Sequence, residues 1–268
     1  MSGVGWSISL RDADTDAVIH EESADEVRRT ASVGKVLLLF RVAELLARGE
    51  IERGELLTRL PEDAVADSGI WQYLSTEGLA VQDLCELVGM ASDNLATNVL
   101  LRRVGLSGVA RTASRRGMVR TALHDRVRDV RGPADPATLS SGTAAELAHL
   151  MSGLHRGARS GGGVTTRVHA WLSKGLDLSQ VAAGWGLDPL AHLDPDRGLR
   201  LVNKTGTDRG VRADVGVLSG PAANIAYAVI ANWDEEAAPD LRDVVLARQR
   251  QLGLIIAAHA RNTELFLT

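Results

Sequence analysis

The chain has 268 residues, of which 45% are hydrophobic and 24% charged, and its formal net charge at pH 7 is −4. No apolar run approaches the roughly 18 residues that a membrane span needs, and there is no net positive charge to attract nucleic acid or anionic lipid. These values predict a soluble globular protein of one large domain or two interleaved lobes, with a small molecule as its partner.

Cysteine and histidine offer little for disulfide or metal chemistry. The only cysteine, Cys85, has no partner for an intrachain disulfide, and its apolar helical surroundings predict a core residue. The seven histidines are scattered, without the i, i+4 pairing that is typical of a metal site on a helix. We therefore expect neither a metal nor another cofactor.

The amino-terminal residues alternate between apolar and polar side chains, which is typical of a half-buried strand. Residues 6–10 show this alternation, and a polar turn at 12–16 leads into a second apolar segment at 17–20, so a hairpin is predicted. Residues 35–48 are rich in good helix formers and apolar around much of the helix circumference. They predict a buried helix that ends at Gly49.

The middle of the chain is predicted to be helical and its end to return to strands. The predicted helices are 81–90, 93–104, 108–116, 144–156, 165–174 and a last one at about 241–260. Strand patterns return at 199–203, 211–218 and 225–231. Because strands occupy both ends of the chain, the predicted fold is α/β (α+β), with a five-stranded antiparallel sheet flanked by helices and an inserted helical lobe. The expected division is an α/β lobe (1–31 and 180–268) and an all-α lobe (32–179), with the active site in the cleft between them.

Three short polar motifs occur along these elements. They are Ser32-Val-Gly-Lys35, Ser92-Asp-Asn94 and Lys204-Thr-Gly206. Each motif alone is common by chance, but their joint order on these elements is much more specific. In this order and spacing the sequence resembles the penicillin-recognising serine enzymes, and class A β-lactamases in particular. The resemblance covers nearly the whole chain, from the strand at Trp6 to the terminal helix.

The first motif has the chemistry of an activated nucleophile. A serine hydroxyl near neutral pH needs a nearby base to take its proton. Ser32 and Lys35 lie three residues apart, so both face one side of the first helical turn. Lys35 is expected to hydrogen-bond Ser32 and, with its charge disfavoured by burial and by Lys204, to accept the proton. The backbone N–H of Ser32 is expected to donate to the oxyanion.

The resemblance implies roles for the other motif residues. Ser92 would relay a proton to the leaving nitrogen, and Asn94 would hydrogen-bond a substrate amide. The N–H of Thr207 would be the second oxyanion donor, and Thr205 and Arg212 would hold a substrate carboxylate. The predicted catalytic residues are Ser32, Lys35, Ser92 and Lys204, and the predicted substrate-binding residues are Asn94, Thr205, Gly206, Thr207 and Arg212.

One segment departs from the resembled pattern. Class A β-lactamases carry a glutamate, within a segment resembling Arg-x-Glu-x-x-Leu-Asn, that activates the water releasing the acyl-enzyme. The corresponding loop 123–133 has no glutamate, and aligning Arg126 with the arginine of the motif places Arg128 at the glutamate position. Asp125 and Asp129 are the possible substitutes, but an aspartate is one methylene shorter and would hold water only if the loop moved inward.

Each motif also has a purely structural interpretation. Ser32 and Ser92 would be helix N-caps, Lys35 a solvated lysine, and Lys204-Thr-Gly206 a turn after a strand. Aromatic side chains at Trp71, Tyr73 and Trp185 would line a cleft or, as is more usual, pack in the core.

Three functions remain open at this point. The leading interpretation is a serine hydrolase that forms an acyl-enzyme on Ser32 and hydrolyses β-lactams, which would give antibiotic resistance. The first alternative is a penicillin-binding, esterase or amidase relative with slow or no lactam turnover, and the second is a non-catalytic protein that binds an acyl or lactam ligand. A monomer without nucleic-acid or membrane partners is favoured. The expected location is the cytoplasm if Met1 is the native start, or outside the cell if a leader has been removed.

Overall fold

The computed structural model describes residues 3–191 and 194–263. The chain start, on which the predicted location depends, and residues 264–268 of the predicted α/β lobe lie outside the described residues. The helices are α1 (Lys35–Arg48), α2 (Val81–Ala91), α3 (Asn94–Val104), α4 (Leu106–Arg115), α5 (Ala144–Arg159), α6 (Gly163–Leu172) and α7 (Leu241–Arg261). The strands are β1 (Val4–Asp12), β2 (Val18–Glu22), β3 (Arg28–Arg29), β4 (Leu56–Thr58), β5 (Gly78–Ala80), β6 (Ala122–Leu123), β7 (Ser140–Gly142), β8 (Arg200–Asp208), β9 (Val211–Ser219) and β10 (Asn224–Trp233).

The predicted five-stranded antiparallel sheet is confirmed. Its strand order is β2-β1-β10-β9-β8. The two ends of the chain meet where β1 pairs with β10, in a register that runs from Val4 opposite Trp233 to Asp12 opposite Ile225. Because β8 pairs only with β9 in this sheet, its other edge is available to the functional site.

Both faces of the sheet are buried at β10, which explains the continuous apolar run at 225–231. Along β10, Ile225, Tyr227 and Val229 belong to the core shared with α7, whereas Ala226 and Ala228 belong to the core of the helical part. Successive side chains of a strand point to opposite faces, so a strand covered on both sides has no polar face to show in its sequence.

Helix α1 is the centre of the helical part. Its residues from Val36 to Phe40 are almost completely buried, as the apolar circumference predicts. The helix ends where Gly49 adopts a left-handed conformation with φ 70° and its N–H caps the last turn, which a glycine does at low cost. Among the described residues, no helix combines the length and apolarity that crossing a bilayer requires.

Two elements differ from their predicted limits in ways that affect the site. The strand predicted at 199–203 continues to Asp208, so Lys204-Thr-Gly206 lies within β8 and not in a turn. Polar side chains and glycine lower strand propensity, and the pairing with β9 overrides that local signal. The segment 32–179 is mainly helical and also contains β4 to β7, which form small sheets at its surface and next to β3.

Candidate active site

Ser32 lies in a single 3₁₀ turn, Ala31–Gly34, that directly precedes α1. Ala31 adopts a left-handed conformation with φ 47°, which is uncommon for a residue with a side chain. Neighbouring groups hold this turn: the Ser140 hydroxyl donates to the Ala31 carbonyl at 2.5 Å and lies 2.7 Å from the Thr30 hydroxyl. Ser32 is therefore presented on a constrained turn, and no N-cap hydrogen bond is made there by a side chain.

Gly206 allows β8 to pack directly against this turn. A Cβ atom at Gly206 would lie 2.2 Å from the carbonyl oxygen of Thr30 and 3.2 Å from the backbone nitrogens of both Ser32 and Val33. No side chain fits in that space, because the nearest atoms are backbone atoms that cannot rotate away. The glycine thus brings the edge of β8 next to the backbone of Ser32.

We expect Gly206→Ala to reduce the free energy of unfolding by about 1–3 kcal/mol, because the added methyl group forces two backbone segments apart. Gly153→Ala is a matched control: Gly153 lies inside α5, and a Cβ there meets no atom within 4 Å. That change is expected to raise stability by up to about 1 kcal/mol, since glycine is a poor helix former. Urea unfolding of both variants checks the prediction, and equal stabilities would contradict it.

Lys35 is completely buried, which excludes a solvated first-turn lysine. Its Nζ atom lies 2.6 Å from the Ser92 carbonyl oxygen, 2.6 Å from Asn94 Oδ1 and 3.2 Å from Ser92 Oγ. The expected hydrogen bond to Ser32 is not among these contacts. Burial, followed by the charge of Lys204, lowers the pKa of Lys35 well below its ordinary value, against a smaller opposing effect of Asp93. A neutral amine here would donate two hydrogen bonds and accept one from the Ser92 hydroxyl.

Ser92 lies between α2 and α3 in a left-handed conformation with φ 56°. The cap of α3 is Asp93, whose Oδ1 accepts from the Ala96 N–H at 2.9 Å, so Ser92 is not a helix N-cap. The other oxygen of Asp93 accepts from the backbone N–H groups of Ile70 and Trp71 at 2.7 and 2.9 Å. Asp93 therefore caps α3 and also fixes the loop at Ile70, which lines the cleft. The motif alone did not predict this structural role.

Lys204 is 3% exposed, and its Nζ atom donates to the Thr205 carbonyl at 2.8 Å. Burial lowers the pKa of Lys204 to about 8, although the charges of Asp177 and Asp214 oppose this shift. Asp214 on β9 is itself fully buried, and burial raises its pKa to about 7 even though it accepts hydrogen bonds from Asn203 and Tyr227. The sequence offered one signal for Asp214, an acidic residue inside a strand that is otherwise mostly apolar.

Asp177 is a second acidic residue that the motifs did not indicate. It lies between α6 and β8, and its Oδ1 accepts from the Ser179 N–H at 3.0 Å and from the Ser179 hydroxyl at 2.6 Å. Burial opposes ionisation of Asp177, but these bonds, a hydrogen bond with Thr205 and the charge of Lys204 together lower its pKa. A half-buried carboxylate thus stands beside the Lys204 ammonium.

Most of the motif residues line one continuous cleft between the edge of β8 and the helical part, but Lys35 and Gly206 are not among its lining residues. Ser32 and Thr207 line both halves of it. The first half is a cavity of about 350 Å³ that is also lined by Ser92, Asp177, Lys204 and Thr205. The second is a cavity of about 830 Å³ that is also lined by Asn94, Arg128, Asp129, Arg131 and Arg212. Trp71 and Trp185 are buried and pack in the core, whereas Tyr73 is 81% exposed.

The two candidate aspartates of the loop 123–133 have different surroundings. Asp125 is 4% exposed, and Arg128 and Arg131 bind its Oδ2 at 2.7 and 2.6 Å. The structure does not bring Asp125 to the cleft surface. Its ion pairs hold the loop together, so Asp125 is not placed to act as the base that releases the acyl group, as the sequence had suggested. Asp129 lines the cleft, and its Oδ1 accepts from the Ala66 N–H at 2.9 Å.

Arg212 faces the second cavity from β9, where the sequence placed it. Its Nη1 atom donates to the backbone carbonyls of Asp208 and Val211 at 3.1 and 2.7 Å, and its guanidinium lies 5.7 Å from the centre of the Trp233 ring. Backbone and aromatic contacts therefore orient the guanidinium, and a planar cation held in this way suits a carboxylate ligand.

Solved structures of other proteins share this architecture. A beta-lactamase from Sphaerobacter thermophilus DSM 20745 is similar, with TM-score 0.78 and 23% sequence identity over 97% of this chain and 92% of that one. PBP-A has TM-score 0.79 and 20% identity over 96% and 91% of the two chains. A variant of the class A beta-lactamase of the last common ancestor of Gram-negative bacteria has TM-score 0.78 and 26% identity over 98% and 96%.

Comparison of the sequence alone identifies a family but no curated relative. A comparison with curated proteins finds no match. The profile of the Beta-lactamase enzyme family, by contrast, matches residues 2–250, which is nearly the whole chain. The chain therefore belongs to the Beta-lactamase enzyme family.

Proposed function

We propose that this protein is a serine hydrolase that forms an acyl-enzyme on Ser32. The observation that carries the proposal is a pair of buried amines, one at the start of the helix that follows this serine and one in the cavity that the serine lines. Lys35 is fully buried next to Ser92, and Lys204 lines the same cavity as Ser32. A buried lysine whose pKa is depressed is a competent general base near neutral pH.

The proposed reaction begins with attack of Ser32 Oγ on a carbonyl carbon. A bond forms between them, and the hydroxyl proton passes to the neutral amine of Lys35. The Ser92 hydroxyl, 3.2 Å from that amine, then gives its proton to the leaving nitrogen as the carbon–nitrogen bond breaks. The Lys35 ammonium returns a proton to Ser92 Oγ and becomes neutral again. The N–H groups of Ser32 and Thr207 would stabilise the oxyanion, and this is supported by the close packing of Gly206 against the turn of Ser32.

A β-lactam is the acyl donor that we propose first. One similar structure is the acyl-enzyme complex of a PBP-A variant with penicillin G, at 20% identity and TM-score 0.78. Release of the acyl group by water is expected to be slow, because Arg128 stands at the aligned glutamate position and Asp125 is held by two arginines. We therefore propose behaviour closer to that of a penicillin-binding protein than to that of an efficient β-lactamase.

Efficient β-lactam hydrolysis is the second candidate function, and Asp129 is the observation in its favour. Asp129 lines the cleft beside Ser32, and one carboxylate oxygen is bound to Ala66 while the other is available. A carboxylate in that position would activate water if it came within hydrogen-bond reach of the acyl group. In that case Asp129→Asn would slow release of the acyl group and leave its formation unchanged.

Intact-protein mass spectrometry over time tests the proposal. The purified protein is incubated with benzylpenicillin, with a chromogenic cephalosporin and with a fluorophosphonate. We expect an adduct with the mass of the added lactam that persists after excess reagent is removed. Rapid loss of the adduct with continued release of hydrolysed lactam would favour the second candidate. The absence of an adduct with all three reagents would exclude a serine acyl-enzyme.

A further inference from the structure

Asp177 occupies the part of the cleft that is expected to receive a substrate carboxylate. It lines the same cavity as Ser32, Lys204 and Thr205. The two hydrogen bonds from Ser179 both end on Oδ1, which orients the carboxylate within its turn. The carboxylate also hydrogen-bonds with the side chain of Thr205 and interacts with the charge of the Lys204 ammonium. The cation and hydroxyl of this pocket therefore already have an anionic partner.

A substrate carboxylate placed here would meet this internal carboxylate. Two like charges brought together in a half-buried cavity repel each other, because little water remains to screen them. An uncharged group meets no such repulsion, and the carboxylate of Asp177 is available to accept a hydrogen bond from it. Arg212 lines the second cavity and not the one that contains Asp177, but its guanidinium also interacts with the charge of Asp177, so this carboxylate weakens the attraction of both cations for a substrate carboxylate.

We propose that Asp177 is a specificity-determining residue, which makes the site favour acyl donors that are uncharged at the position where β-lactams carry their carboxylate. The proposal rests on the proposed acyl-enzyme chemistry of Ser32. It narrows the substrate class to β-lactams, esters or amides that are neutral at that position. It also predicts that penicillins acylate this protein slowly because of their charge and not because of a defective nucleophile.

Benzylpenicillin and its methyl ester are matched probes, since they differ only in that charge. Rates of Ser32 acylation by the two probes are measured by intact mass at about pH 6.5, where Lys204, with its pKa of about 8, remains protonated. Asp177→Asn keeps an acceptor oxygen for Ser179 and removes the negative charge. We expect it to raise the acid-to-ester rate ratio at least about tenfold. An unchanged ratio would overturn the proposal.

Two further variants separate charge at this position from other effects. Asp177→Glu retains the carboxylate and is expected to keep the low acid-to-ester ratio. Asp83→Asn removes a negative charge from an exposed position on α2, outside the cleft, and should leave the ratio as it is in the unmodified protein. A ratio that rises equally in Asp83→Asn and Asp177→Asn would mean that net charge, and not Asp177, controls selection.

A binding measurement distinguishes failure of this proposal from failure of the acyl-enzyme chemistry. In the Ser32→Ala background, calorimetry gives the dissociation constants of benzylpenicillin and its methyl ester with and without Asp177→Asn. The affinity for the acid relative to the ester should again increase about tenfold. If no reagent labels Ser32, the proposed function is wrong, but the ratio of dissociation constants still confirms or overturns the role of Asp177.

Discussion

Ser32→Ala is expected to abolish covalent labelling by benzylpenicillin and by a fluorophosphonate. The Ser32 hydroxyl is on the constrained turn that directly precedes Lys35, and it lines the same cavity as Lys204, so without it we expect no oxygen to be positioned to attack the acyl group. The measurement is the mass of the intact protein after prolonged incubation with each reagent. Labelling that persists in this variant would show that another residue is the nucleophile.

The loss of labelling must be separated from loss of structure. Ser32 is partly exposed, so removal of its hydroxyl is expected to change the free energy of unfolding by less than about 0.5 kcal/mol. Ser107→Ala, an equivalent truncation at an exposed position of α4, serves as the control and should be labelled at the rate of the unmodified protein. Urea unfolding of both variants completes the comparison.

Lys35→Met is expected to slow acylation by at least about a hundredfold, because it removes the proposed general base and keeps the apolar volume of the side chain. The Ser92 carbonyl and Asn94 Oδ1 lose their donor, so a loss of about 1–3 kcal/mol in the free energy of unfolding is also expected. Lys174→Met is the control, since Lys174 is 39% exposed and its Nζ atom pairs with Glu86 at 2.7 Å. Equal acylation rates in the two variants would exclude Lys35 as the base.

The pH dependence of acylation distinguishes a lost base from a distorted site. In the unmodified protein the rate should rise with pH as Lys35 loses its proton, because only the neutral amine accepts the proton of Ser32. Above about pH 8 the rate should fall, since Lys204 then loses its positive charge in the cavity of Ser32, where negative charge develops during the attack. Lys35→Met should lose the rising limb and retain the falling one. A rising limb that survives the substitution would contradict this assignment.

Local signals in the sequence were sufficient to predict the main helices and the position of the first motif, but not the short strands β3 to β7. Helix α1 was predicted from Lys35 to Arg48 and has those limits, because its apolar periodicity and Gly49 are both local features. The three motifs predicted several residues of the cleft, because each motif lies on or beside a helix or strand that the hydrophobic pattern of the flanking residues also predicted. The limits of β8 were less well predicted, because its polar end is stabilised by pairing with β9 and not by its own composition.

The sequence by itself thus determined the fold class, the order of the main helices and strands, and several of the polar residues that line the cleft, among them Ser32, Ser92 and Lys204. Only the tertiary structure decided what those residues contact. It brought Asp177 next to Lys204, bound Asp125 between two arginines and directed the Lys35 amine to Ser92 and Asn94 rather than to Ser32. The contacts of Asp177 and Lys35 join side chains far apart in the chain, and hydrophobic periodicity and short motifs carry no information about which distant groups meet. The ion pairs of Asp125 are local, but its sequence neighbours did not show that both arginines would bind it. For this protein, the tertiary structure thereby decides the charge balance of the cleft, on which we propose that the choice of acyl donor depends.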